Sequence, residues 1–158
     1  MFADPLTERL ATFVRAVGID VRAEMLAEPT FLPGLDIRCG ALLIDEKRLK
    51  YPGDILHEAG HIAVSDPATR NTTPISNDPG EEMAASAWSY AAARKLGIAP
   101  AIVFHDGFKG DGPNMVENFK AGRYIGVPIL HWYGMSVEPR QAAAAGLEPY
   151  PHMLRWVR

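Results

Sequence analysis

The chain has 158 residues, 47% of them hydrophobic and 22% charged, and its formal net charge is −3. That length suffices for one ordinary domain with its own core, and the balance excludes a disordered chain and offers no basic surface for nucleic acid. The single cysteine, Cys39, rules out a disulfide framework within the chain and a cysteine-rich metal site.

Residues 1–20 carry Asp4, Glu8, Arg9, Arg15 and Asp20 and lack the apolar stretch of a signal peptide. No run reaches the roughly 18 apolar residues of a membrane helix, so the expectation is a cytoplasmic protein without a membrane partner. Residues 4–17 read as a helix, with Leu6, Leu10, Phe13, Val14 and Val17 at helical spacing and Gly18 as the stop. Residues 19–26 read as a strand. Phe31-Leu32-Pro33-Gly34 is a turn, 35–44 hold one or two strands, and Asp45-Glu46-Lys47-Arg48 is a polar connection.

Residues 52–65 form the next predicted helix. Pro52 is tolerated in a first turn, Asp54 suits the positive helix start, and Asp66-Pro67 ends it. A polar loop follows over 67–80, then a long alanine-rich helix over 79–96 closed by Gly97. Beyond it the pattern predicts a strand at 101–105, a glycine-rich loop from Gly107 to Pro113, a short helix at 114–121, a strand at 127–133 and a helical turn or two at 138–145. The whole reads as a single α+β domain over residues 1–158.

The chemistry concentrates in His57-Glu58-Ala59-Gly60-His61. Residues four apart on a helix differ in direction by about 40°, so His57 and His61 point the same way. Two imidazoles so placed can hold one zinc ion. Glu58 points about 60° away from His61, where it reaches a water beside the ion without becoming a ligand, the position of a catalytic base. The flanking Ile55, Leu56, Ile62, Ala63 and Val64 make a helix buried nearly all round. A carboxylate there is costly without a partner, and a metal site supplies one.

Catalytic zinc takes three protein ligands and keeps one open position. Downstream candidates are Asp66, Asp78, Glu81 and Glu82. Asp66 terminates a helix. Asp78-Pro79-Gly80-Glu81 has capping-box spacing, which occupies Asp78 and Glu81. Glu82 has no such task, and it heads a face of small residues, Ala85, Ser86, Ser89 and Ala93, that lets two helices approach closely. Glu82 is therefore the expected third ligand, with Glu81 as the alternative.

His57-Glu58-Ala59-Gly60-His61 followed by Glu82-Met83-Ala84-Ala85-Ser86-Ala87-Trp88 resembles the gluzincin metallopeptidases, which carry H-E-x-x-H on one helix and a glutamate on a second. Within them it is similar to the small ImmA/IrrE-like peptidases, which have an aromatic residue six past that glutamate, here Trp88. The likeness covers roughly residues 40–96 and includes a strand before the motif, here Ala41-Leu42-Leu43-Ile44. Ser86 stands where that family has Asn or Asp, and Ala92-Ala93 where it has a leucine pair. The resemblance implies a compact zincin-like domain, with a small sheet packed on the H-E-x-x-H helix and a second helix bearing the glutamate. It implies a zinc-dependent hydrolase, a metallopeptidase, acting on a peptide or protein substrate.

Other polar residues are expected to be ordinary packing groups, though His105, His131, His152, Tyr124 and Tyr133 could each donate to an oxyanion. Gly107 to Pro113 lacks the Gly-Lys-Ser/Thr ending of a phosphate loop and suits a rim over a cleft. The Ala41 to Ile44 strand is expected to pair with an extended substrate. The contrasting reading is a non-catalytic interaction module that keeps a zinc-stabilised fold, in which Glu58 has no task.

Overall fold

A computed structural model describes residues 1–27, 29–72 and 74–158. Among these residues the fold is α+β, built from six α-helices and a mixed three-stranded sheet. Helix α1 (Pro5–Ala16) starts on Asp4, whose carboxylate accepts from the Thr7 N–H at 2.7 Å. Strands β1 (Val21–Ala23), β2 (Leu35–Arg38) and β3 (Ala41–Ile44) follow. The order across the sheet is β1-β3-β2, with β1 parallel to β3 and β2 antiparallel to it in the register Leu35↔Ile44 and Ile37↔Leu42. Leu42 and Ile44 face the main core, while Ala41 and Leu43 form a small cluster with Leu26 on the other face, as a two-residue period requires.

Helix α2 (Asp54–Val64) lies against β2, β3 and α1, and every residue of it except Glu58 is buried. Helix α3 (Pro79–Leu96) packs against α2 and is buried continuously from Ala84 to Ala93. The two run antiparallel: Ser89 Oγ donates to the Leu56 carbonyl at 3.3 Å, and Gly60 faces Ala85. Gly97 ends α3 in the left-handed region at φ 65°. No helix among the described residues is long and apolar enough to cross a membrane.

The remaining chain is helical where strands were expected. Residues 101–105 are not a strand: Pro100–Ile102 is a single 3-10 turn, and the Val103 and Phe104 N–H groups both reach the Pro100 carbonyl. Residues 127–133 are not a strand either but helix α5 (Val127–Trp132), with Pro128 in its first turn and Val127 and Leu130 buried at i, i+3 spacing. Short apolar runs carry no decisive period, and the proline at each helix start outweighed the apolar character. Helix α4 (Gly112–Lys120) is capped by Asp111, and α6 (Pro139–Ala145) ends at Gly146. The first predicted strand shortens to three residues. The loop expected over 67–80 includes Thr73, which lies outside the described residues.

The closeness of α2 and α3 is measurable. A Cβ built on Gly60 would lie 2.8 Å from the Ala85 carbonyl oxygen. Glycine to alanine inside a helix ordinarily gains about 1 kcal/mol. Here the helices must part, and overpacking costs about 1–3 kcal/mol. Gly60→Ala is expected to lower stability by about 1–2 kcal/mol in urea unfolding; a raised midpoint would show slack between the helices.

Candidate metal centre

The helix entry sets the site. Tyr51 to Gly53 form a turn, with the Asp54 N–H on the Tyr51 carbonyl at 3.0 Å. Gly53 stands where any side chain would collide with the Ile102 carbonyl, so the 3-10 turn is pressed onto the start of α2. On α3, the Asp78 carboxylate accepts from the Gly80 and Glu81 N–H groups at 2.8 and 3.1 Å. The reciprocal half of the expected capping box is not made: the Asp78 N–H donates to Ser76 Oγ. Glu81 therefore lacks the structural task assigned to it from spacing.

His57, His61 and Glu82 converge. The two Nε2 atoms are 3.2 Å apart. Glu82 Oε1 lies 3.1 Å from His57 Nε2, and Oε2 lies 2.8 Å from His61 Nε2. With ligand bonds of about 2.0–2.1 Å, the edge of a tetrahedral site is roughly 3.3 Å. The two nitrogens stand at about that edge and one oxygen of Glu82 faces each of them, so these three residues could hold a single metal ion. Both rings are buried, while the Glu82 side chain is 49% exposed, which leaves the centre open on the carboxylate side.

The electrostatics agree. Hydrogen bonds from the His57 and His61 rings hold the Glu82 carboxyl far below the usual carboxylate range, against the effect of burial. Burial disfavours charge on His61, but its bond to Glu82 and the nearby Glu58 carboxylate outweigh that and raise it. Three groups thus compete for protons in a space that one divalent cation would satisfy. Nδ1 of His57 and of His61 is buried with no hydrogen-bond partner among the described residues, so Ser86 supports neither ring. Nε2 of each ring faces the centre, and that is the nitrogen through which either ring would hold an ion.

Two cavities flank the centre. The larger, about 640 Å³, has Glu58, His61 and Glu82 in its wall together with Leu35, Asp36 and Ile37 of β2. The smaller, about 360 Å³, has Asp54, His57 and Glu82 in its wall, closed by Phe31, Leu32 and residues 107–110. Glu58 is the one half-buried residue of α2, and burial raises its carboxyl above the ordinary value.

Of the five histidines and tyrosines singled out as oxyanion donors, only His105 comes near, through its 2.7 Å contact with Asp54. His131 Nδ1 accepts from the Glu138 N–H, His152 pairs with Glu148, Tyr124 stacks edge-on against Tyr150, and Tyr133 lies under the Arg158 guanidinium. None of the five lines either cavity. The loop expected as a rim, 107–113, does border the smaller cavity through residues 107–110, while sequence reasoning missed Phe31 and the role of Asp54 as a cavity wall. Asp54 carried a legible signal, since it sits one helical turn before His57.

No protein-family model, no curated protein and no solved structure matches the chain.

The geometry separates the two glutamates. Glu82→Ala is expected to abolish retention of a divalent metal through dialysis, read by elemental analysis, whereas Glu81→Ala is expected to keep it. The opposite pattern would reassign the third ligand.

Proposed function

We propose that the protein is a zinc-dependent hydrolase of zincin-like fold, acting on peptide bonds with Glu58 as general base. The observation that carries this is the convergence of His57, His61 and Glu82, whose ligand atoms lie within 4.8 Å of one another. A zinc ion held there would supply Lewis acidity, polarising a carbonyl and acidifying water.

The chain's own residues supply the rest. Two imidazoles and one carboxylate make the three-ligand set of catalytic zinc sites and leave a position free. Glu58 shares the wall of the larger cavity with His61 and Glu82. Its raised carboxyl makes it a stronger base than a solvated one, suited to take a proton from water and return it to a departing amine. A zinc-stabilised interaction module would keep the three ligands but would have no use for Glu58 in the cavity wall.

The substrate-pairing strand must be reassigned. β3 (Ala41–Ile44) is the central strand, hydrogen-bonded on both sides, and has no free edge. β2 is an outer strand, and its residues 35–37 line the cavity that holds Glu58. Main-chain groups along such an edge suit an extended peptide of many sequences. The Leu35 N–H bonds the Leu32 carbonyl at 3.2 Å and the Ile37 N–H bonds Asp36 at 2.9 Å, so an added strand would take the place of these two contacts.

Purified protein is expected to carry about one zinc per chain, lost in His57→Ala and in His61→Ala. A mixed peptide library read by mass spectrometry should show cleavage that a chelator abolishes. Glu58→Gln should keep zinc and melting temperature while lowering turnover about 10²-fold or more. Turnover equal to the wild type would remove Glu58 from the mechanism, and zinc content unaffected by either histidine change would remove the metal site itself.

A further inference from the structure

The smaller cavity holds a charge that the proposed hydrolysis does not use. Asp54 is 3% exposed, lies in the cavity wall, and sits one helical turn before His57 on the same side of α2. Its Oδ1 is 2.7 Å from His105 Nε2. The His105 ring is stacked on Tyr51 with centroids 3.7 Å apart, and its Nδ1 is buried without a partner among the described residues.

Asp54 has that ring as its hydrogen-bond partner, and the positive start of α2 favours a carboxylate at this place. Burial nonetheless raises its carboxyl, and the His105 bond only partly offsets this. Glu82 has His57 and His61 to answer its charge; among the described residues Asp54 pairs with no lysine or arginine. Lys109, the cation of the wall, places Nζ 3.8 Å over the ring of Phe31, which is itself 77% exposed. It sits at the rim.

Apart from Asp54, Lys109 and the two residues of the adjoining centre, His57 and Glu82, the wall is apolar, made chiefly by Phe31, Leu32 and Phe108, and the Phe108 ring meets His57 edge-on at 5.2 Å. An apolar slot with a buried carboxylate in its wall complements a side chain with an apolar stem and a cationic head. We propose that this cavity is a subsite for a basic side chain, lysine or arginine, of the peptide hydrolysed at the adjoining centre, and that Asp54 is the residue that recognises it. The proposal rests on the peptidase reading given above, and its test separates the two.

The zinc-loaded full chain is offered peptide libraries in which each position in turn carries lysine or its uncharged counterpart norleucine. One position beside the cleaved bond should show a preference for lysine of at least about tenfold in kcat/KM, falling to near unity in Asp54→Asn. No preference in the wild type, or a preference that survives Asp54→Asn, overturns the proposal. A second arm needs no cleavage: Nα-acetyl-lysine amide and Nα-acetyl-norleucine amide are titrated against the same protein by NMR. Saturable binding of the lysine amide alone, lost in Asp54→Asn, upholds the subsite even when no library is cleaved and the hydrolase reading has failed. Equal binding of the two amides, or none, overturns it. Where Asp54→Asn does not fold, Leu32→Lys puts a cation into the slot from the turn before β2 and must abolish lysine-amide binding; binding that persists overturns the proposal.

Discussion

The contact between Gly60 and Ala85 is the constraint on which the site depends. At that point the backbones of α2 and α3 meet with no side chain between them. Ser89 reaches across to the Leu56 carbonyl on the same face. Glu82 lies one turn before Ala85, on the face that α3 turns toward α2, and so it arrives over His57 and His61. A larger residue at position 60 or 85 would push the helices apart. An ångström of separation would take Glu82 out of the range in which one ion can touch all three groups. Small residues here serve proximity more than helix propensity, which is why a glycine is retained in the middle of a buried helix despite its cost.

The chain after α3 buttresses this pair and completes the cleft. Tyr90 of α3 stacks on Phe119, Phe119 on Phe104, and the buried Tyr150 hydroxyl donates to the Ala87 carbonyl at 2.7 Å. Trp88 bonds the Trp156 carbonyl and shares a ring cluster with Trp156 and Phe13, so the tail and α1 are tied to the same turn of α3. The Arg158 N–H and the Arg70 side chain close on carbonyls at the end of α2. These contacts hold the back of both helices. The front receives residues 107–110, which are carried there because the 3-10 turn at Pro100–Ile102 is pressed onto Gly53. One close approach therefore brings both His105 and the cavity rim to the start of α2.

Charge is distributed unevenly around the centre. Glu58, Glu82, Asp36 and Asp78 line the larger cavity, and Asp54 and Glu82 the smaller. Several of these carboxylates have local answers: Asp78 caps α3, and Asp36 bonds a backbone N–H and faces Arg38 at 3.5 Å. Glu58 and Asp54 are raised by burial instead, because their surroundings provide too little compensation for a desolvated charge. Perturbed carboxylates beside an open cavity mark groups placed for interaction more than for fold stability.

Much of the centre was legible in the linear sequence, because it depends on local geometry. The 3.6-residue turn alone sets His57 and His61 on one face and Glu58 beside them. The Asp-Pro start at 78–79 placed the beginning of α3, but the capping task that set Glu81 aside is not made, so what pointed to Glu82 was the face of small residues behind it. What local pattern could not hold was pairing at a distance. It could not rank β3 as the central strand, since strand order depends on partners and Ala41 to Ile44 reads the same in the middle of a sheet as at its edge. It misread 101–105 and 127–133, where short apolar runs took their conformation from the aromatic cluster and the helix-starting prolines. It could not join Asp54 to His105, fifty-one positions apart, or place Phe31 across the cleft from Phe108. The sequence by itself determined a helix that sets His57 and His61 on one face with Glu58 beside them, because those residues are neighbours along one turn. Only the tertiary structure decided which carboxylate completes the centre and what lines the cavities beside it, because those residues meet through the close packing of two helices.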